Sequence, residues 1–265
     1  MIPKLQWLIH SNMENDNVIK RLVRAVGRSG ANIRCVNYKL GDHIRLDMYD
    51  HSDCVVCYGG IDFIQYLNNN RITKFIPGPW FNLRNLRCST YYAYFGRYLL
   101  NQPYNMLPLG DLCRQLIGRD YCLFLRPDIG TKPFVGQVID SKTNNIKPIL
   151  ESVGPETLVI TSTPKIISNE WRFVACNREI VAGCQYLPSE ESSYGNKAFV
   201  LAQKICQHEW QPDLCYVIDI VQFGNNVYLL ELNSFSCSGF YQCDLDRIVG
   251  HANQAAVSEW KDYHK

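Results

Sequence analysis

The sequence predicts an α/β chain in two parts, and three observations carry that expectation. Over the first hundred residues, short apolar runs alternate with a helical segment, the succession expected of a small parallel sheet with helices on its faces. Further on, two pairs of β-type runs bracket turn-rich triplets, Gly130-Thr131-Lys132 and Gly224-Asn225-Asn226, as antiparallel hairpins require. Between the two regimes Pro77-Gly78-Pro79-Trp80 punctuates the chain, which sets the expected domains at 1–79 and 80–265.

The elements follow in order. Leu5 to Ile9 is a short apolar run. Asn15 to Gly27 reads as a helix, because Val18, Ile19, Leu22, Val23 and Val26 fall on one face, with an Asn/Asp-rich start and a glycine stop. Asn32 to Tyr38 and Cys54 to Tyr58 read as strands, the second ending in Gly59-Gly60. That Gly-Gly makes no dinucleotide fingerprint, and no P-loop occurs in the chain. Phe81 to Leu100 interleaves aromatics with Arg84, Arg87 and Arg97, a pattern that stacks bases in some proteins but that a helix also produces when one side is buried.

Composition narrows the classes. With 265 residues and 46% hydrophobic content, the chain has material for a full core. A net charge of +2 and the lack of a dense basic run argue against nucleic acid as a partner. No apolar run approaches membrane-spanning length, and MIPKLQWLIHSNMEND lacks a signal peptide's apolar centre, so a soluble, cytoplasmic protein is expected. The twelve cysteines show no repeated metal spacing, and the lone C-x-x-C, Cys54 to Cys57, has no second pair; neither zinc nor disulfides are expected.

The most informative stretch is YVIDIVQFGNNVYLLELN. If Gly224-Asn225-Asn226 is the loop, Phe223 pairs with Val227, and counting outward places Asp219 opposite Glu231, with Asn233 on the same face. A two-residue loop is instead expected to put Leu232 there, leaving an exposed hairpin with a polar face. Opposed acids among Val, Ile and Leu repel, so a cation is expected between them, and relieving the repulsion with Glu231→Gln is expected to stabilise the empty protein. Two carboxylates and an amide oxygen are hard ligands suited to Mg2+, which shares its shell with substrate phosphates. Ser234 to Phe240 then leaves the strand as a small, flexible loop of the kind that hosts chemistry.

Two further segments carry chemistry. The hairpin from Leu123 to Ile139 presents backbone N–H groups, a hydroxyl and an ammonium at Gly130, Thr131 and Lys132, as phosphate-binding nests do, although ordinary turns share that composition. Arg126 lies amid apolar residues and needs an anionic partner. In the strand starting near Asn169, Glu170 and Arg172 share a face, either as a surface ion pair or with Arg172 turned to phosphate.

Taken in order, these segments resemble the ATP-grasp superfamily over about residues 85–265, and residues 1–79 are similar to the small α/β domain that commonly precedes it. FLRPDIGTKPFVG resembles the strand and flexible loop over the triphosphate, LVITSTP the adenine-holding hinge, EWRF the start of the second subdomain and AFVLAQKICQHEW the helix after it. VIDI with LLELN resembles the metal-ligand strands, and the chain looks most like small members frequent in bacteriophages. The resemblance implies an ATP-grasp fold of two α+β subdomains enclosing ATP. It also implies Mg2+ held by Asp219, Glu231 and Asn233, and Arg172 and Lys132 in catalysis. Arg126, Gly130, Thr131, Lys132, Ile160, Thr161, Ser162 and Arg172 would hold the nucleotide, and Arg87 matches an earlier basic residue of the family.

The implied reaction is ADP-forming: a substrate carboxylate takes the γ-phosphoryl group as an acyl phosphate, and an amine displaces phosphate to form an amide or peptide bond. Substrates would be amino acids, peptides, a protein terminus or other small carboxylates and amines. The sequence departs from the family where a Pro-Gly after the ELN is replaced by Ser-Phe-Ser-Cys-Ser-Gly, and where Tyr186 stands in place of an arginine. Two rivals stay open: a nucleotide-binding interaction module without chemistry, and an ATP-dependent kinase on the same scaffold.

Overall fold

Leu5–His10 (β1) and Cys54–Tyr58 (β3) are apolar because both faces of the sheet they form are covered. They pair in parallel, with Asn32–Val36 (β2) on one side and Ile76–Gly78 (β4) on the other, giving the order β2-β1-β3-β4. The predicted parallel sheet is therefore present, and it takes in Pro77 and Gly78 of the punctuation segment. The computed structural model describes residues 3–10, 17–42, 44, 53–69 and 76–265. The first helix runs Asn17–Arg28 (α1), so its expected Asn15 and Asp16 start lies outside the described residues. Ile61–Asn69 (α2) follows β3 directly.

Gly59 ends β3 for a steric reason. A Cβ there would come 2.4 Å from His10 Cβ and 2.8 Å from Phe63 Cδ1. The close approach lets Gly59 N–H donate to the Ser236 carbonyl at 2.9 Å, which fastens the loop after the last strand to the first sheet. Cys54 and Cys57 both lie buried on β3, but an odd spacing on a strand sends them to opposite faces, so they do not chelate together.

Beyond Gly78 two antiparallel sheets follow. Tyr104–Pro108 (β5), Leu158–Ser162 (β8), Cys122–Pro127 (β6) and Gln137–Asp140 (β7) form one, in that order. Leu109–Leu116 (α4) and Lys147–Val153 (α5) cover its outer face through Leu109, Leu112 and Ile149. The other is Glu179–Leu187 (β10), Asn169–Cys176 (β9), Cys215–Phe223 (β11) and Asn226–Ser234 (β12). Alternation along its strands divides them cleanly. Trp171, Phe173, Ile218 and Ile220 pack toward Cys88–Phe95 (α3) and Asn196–Cys206 (α6), whereas Val174 and Val217 face Leu245–Tyr263 (α7). Burying each such side chain contributes roughly 1.5–3 kcal/mol.

Helix α7 lies between the central sheet and the first one: Ile248, Ala252 and Trp260 share one core with Trp7, Ile9 and Val56. In the aromatic stretch, Tyr91, Tyr92 and Phe95 of α3 are buried, so those rings build the core and are not a base-stacking surface. Among the described residues no helix is long and apolar enough to cross a membrane.

Candidate functional site

The last hairpin forms, but its turn is tighter than the triplet expected. Phe223 pairs with Asn226, not Val227, which leaves a two-residue Gly224-Asn225 turn with Gly224 at φ 58°. Carried on in step, that register would set Leu230 opposite Asp219, not the Leu232 expected of a two-residue loop. A bulge intervenes: Ile220 pairs with Leu229 and Asp219 with Glu231, so Leu230 is the extra residue. The expected Asp219–Glu231 opposition thus holds for another reason. Left out of the ladder, the Leu230 carbonyl accepts a hydrogen bond from Arg126 Nη1 at 3.2 Å.

The cations expected between these acids are side chains. On the adjoining strand Arg172 stands opposite Asp219, and its Nε and Nη2 donate to the two carboxylate oxygens at 2.8 and 2.7 Å. Nη1 donates to the Gly239 carbonyl at 2.8 Å. Asp219 is fully buried, and burial pushes its carboxyl up while Arg172 pulls it back. Glu231 is held from the other sheet, by Arg126 Nη2 at 2.9 Å and Lys132 Nζ at 2.7 Å. Burial alone would raise its carboxyl; Arg126 and Lys132 outweigh it and bring the group down to about 2. Lys132 reaches this position from a left-handed turn, φ 51°, in the hairpin tip between β6 and β7.

Asn233 links the two acids. Its Nδ2 donates to Asp219 Oδ2 at 2.8 Å and to Glu231 Oε1 at 2.9 Å, so both carboxylates converge on one point. That convergence and the all-oxygen donor set fit a hard cation such as Mg2+, since turning the amide over puts its oxygen where the nitrogen lies. Among the described residues no group of three His, Cys, Asp or Glu suited to a metal occurs, so the amide is needed to complete three protein ligands.

Glu170 does not pair with Arg172, contrary to the surface ion pair considered for it. It accepts a hydrogen bond from the Tyr186 hydroxyl, and Tyr186 is itself the extra residue of a bulge in β10. Burial first, then the nearby Asp219 and Glu231 charges, push the Glu170 carboxyl up to about 8. Tyr186 stacks on Tyr241 with centroids 4.7 Å apart, and the Arg172 guanidinium carbon lies 4.9 Å from the Tyr241 centroid. Tyr241 is the residue that sequence reasoning missed, although it follows the noted Ser238-Gly239-Phe240.

A cavity of about 130 Å³ joins these parts, lined among others by Gly130, Lys132, Arg172, Asn233 and Gly239. Of the other expected nucleotide ligands, Thr131 sits in the same tip. Ile160 stands opposite Arg126 in the register of β6 and β8, and is buried with the central sheet's core. Thr161 alternates to the other face, and Ser162 Oγ donates to Asn101 Oδ1 at 3.4 Å. Arg87 lies just before α3 and is exposed.

Comparison with known proteins accounts for the fold. The chain aligns over 98% of its length with D-alanyl-alanine synthetase A from Vibrio cholerae O1, covering 99% of that chain at TM-score 0.61 and 14% identity. D-alanine–D-alanine ligase from Bacillus anthracis gives 97% and 99% coverage, TM-score 0.59 and 10% identity. The ATP-grasp ligase PsnB, solved with a precursor peptide and AMPPNP, gives 97% and 98%, TM-score 0.57 and 10% identity. No curated protein sequence matches. A family model for an ATP-grasp domain, the second family of its clade, matches residues 101–250, more than half of the chain. The chain therefore belongs to the ATP-grasp superfamily, within that second family.

Proposed function

We propose that the chain is an ATP- and Mg2+-dependent, ADP-forming ligase that activates a carboxylate as an acyl phosphate and joins it to an amine. The supporting observation is the convergence of two buried carboxylates, an amide and three cationic side chains on one point between two sheets. Phosphoryl transfer asks little covalent work of a protein and much electrostatic positioning, which this arrangement supplies.

Asp219, Glu231 and Asn233 would hold Mg2+, which when bound neutralises charge on the nucleotide's phosphates. Arg172, kept planar and buried by Asp219 and two tyrosine rings, would stabilise the transferred phosphoryl group. Arg126 and Lys132 pair with Glu231 here and would turn to the phosphates on nucleotide entry, with Gly130 and Thr131 closing over them. A cavity of about 130 Å³ is smaller than a nucleotide needs, so the hairpin tip has to open first. Ile160, Thr161 and Ser162 would hold the base, and the division into 1–79 and 80–265 is part of the same reading. Twelve free thiols suit a reducing, cytoplasmic setting.

The test is ADP release with Mg-ATP across amino acids, peptides, polyamines and nucleosides, followed by product analysis. An amide product with ADP supports the ligase. A phosphorylated hydroxyl would make the protein a kinase, and tight ATP binding without ADP under any condition would leave a binding module.

A further inference from the structure

We propose that the groove between α1, β10 and the start of α7 binds an acidic peptide segment. Its role as a substrate site rests on the ligase reading; the binding itself does not.

The groove has a volume of about 740 Å³ and is lined by Arg21, Arg24, Arg28 and Arg247. Three of these arginines lie on one face of α1, at spacings of three and four. The helix also carries Lys20 and has no acidic residue at all, although like charges at such spacings destabilise a helix. Two of the four are satisfied internally. Arg21 Nη1 donates to the Tyr241 carbonyl at 2.7 Å, and Arg28 donates to Asp246 through Nε at 3.0 Å and Nη2 at 2.7 Å. Asp244, the other acid of the groove, caps α7 by accepting the Arg247 backbone N–H.

That leaves Arg24 and Arg247, both exposed, with no side-chain hydrogen bond or ion pair among the described residues. Arg247 lies in the first turn of α7, where the helix dipole already presents positive charge and a cation is unfavourable. An anion in the groove would relieve both costs. The third wall is β10, the edge strand of the central sheet, and Ile180 to Gly183 line the groove. An edge strand beside unpaired guanidiniums favours an extended peptide with carboxylates over a lone small anion.

Position gives the groove its purpose. Gln242 and Cys243 line it, while Gly239 and Tyr241 of the same segment hold Arg172 on the other side. A peptide laid in the groove is therefore separated from the phosphoryl-binding guanidinium by one loop.

The experiment uses the full chain without ATP, so it does not depend on turnover. Fluorescence anisotropy with labelled hexaglutamate should show salt-sensitive binding that hexaserine lacks. The Arg24→Glu/Arg247→Glu double variant should weaken it at least about tenfold. The Arg247→Glu change puts an acid where a helix start favours one, so folding should be preserved and the melting temperature should not fall. Lys142→Glu/Lys147→Glu, an equal charge change at exposed positions elsewhere, should leave binding unchanged. Equal binding by the Arg24→Glu/Arg247→Glu variant, equal loss in the remote control, or tighter binding of an oligonucleotide of matched charge would each overturn the proposal. So would inorganic phosphate competing as well, per charge, as the peptide.

Discussion

Arg172 and Asp219 face each other across neighbouring strands, and the guanidinium fork spans both carboxylate oxygens at 2.8 and 2.7 Å. Asp219 is wholly buried and Arg172 nearly so, which makes the pair a structural element as well as a candidate part of the chemistry. From sequence alone, Arg172→Ala is expected to shift the melting temperature by only a few degrees. The buried partner changes that. Removing one member of a buried pair typically costs about 3–5 kcal/mol, because the other charge is left uncompensated. We expect a loss of that order for Arg172→Ala in urea unfolding, with Arg172→Met/Asp219→Leu recovering much of it. Additive losses in the double variant would show that the two side chains act independently.

Glu231→Gln is expected to lower stability, the reverse of the repulsion argument drawn from sequence. Glu231 answers Arg126 and Lys132, so neutralising it strands a buried guanidinium. The same pairing sets an acid limb. A carboxyl lowered from 4.5 to about 2 in the fold contributes stability above pH 4.5 that is lost as pH falls toward 2. Thermal melts of Glu231→Gln should lose that limb along with Mg-ATP turnover; a higher melting point than wild type at pH 7 would sink the pairing argument.

Glu170 should act in the opposite sense. Its carboxyl is raised from 4.5 to about 8, so between those values the folded chain holds a proton that the unfolded chain has released. Its contribution is full below pH 4.5 and is lost as pH rises to 8. Relative to wild type, Glu170→Gln should gain stability steadily across that window. Parallel stability curves for the two proteins would mean that Glu170 titrates normally.

Residues 130–136 should slow in hydrogen exchange when Mg-ATP binds, because the tip that holds Lys132 on Glu231 is the element proposed to open and reclose. Exchange unchanged at saturating nucleotide would make the tip an ordinary hairpin. Gly136 is a sensitive position: a Cβ there would lie 3.1 Å from Phe124 Cζ and 3.4 Å from Arg126 Cβ. Gly136→Ala should therefore disturb Arg126 and weaken ATP binding, as isothermal titration would measure.

Alternation along single strands was legible from the sequence, because a strand's period of two is a local property of the backbone. It grouped Glu231 with Asn233 on one face and separated Trp171 from Arg172, as found. The pairing of Asp219 with Glu231 was reached from a three-residue loop, whereas the chain uses a two-residue turn and a bulge at Leu230. Bulges answer to the neighbouring sheet, here to Arg126, and leave no periodic mark.

By itself the sequence determined the strand faces, the parallel first sheet, the hairpins and the family to which the ligand-bearing strands belong. Only the tertiary structure decided which cation answers each acid. Arg126 and Lys132 lie 105 and 99 positions from Glu231, and Arg172 lies 47 from Asp219. No local pattern encodes such partners, because they are chosen when sheets dock and each buried charge must find an opposite one or stay in water.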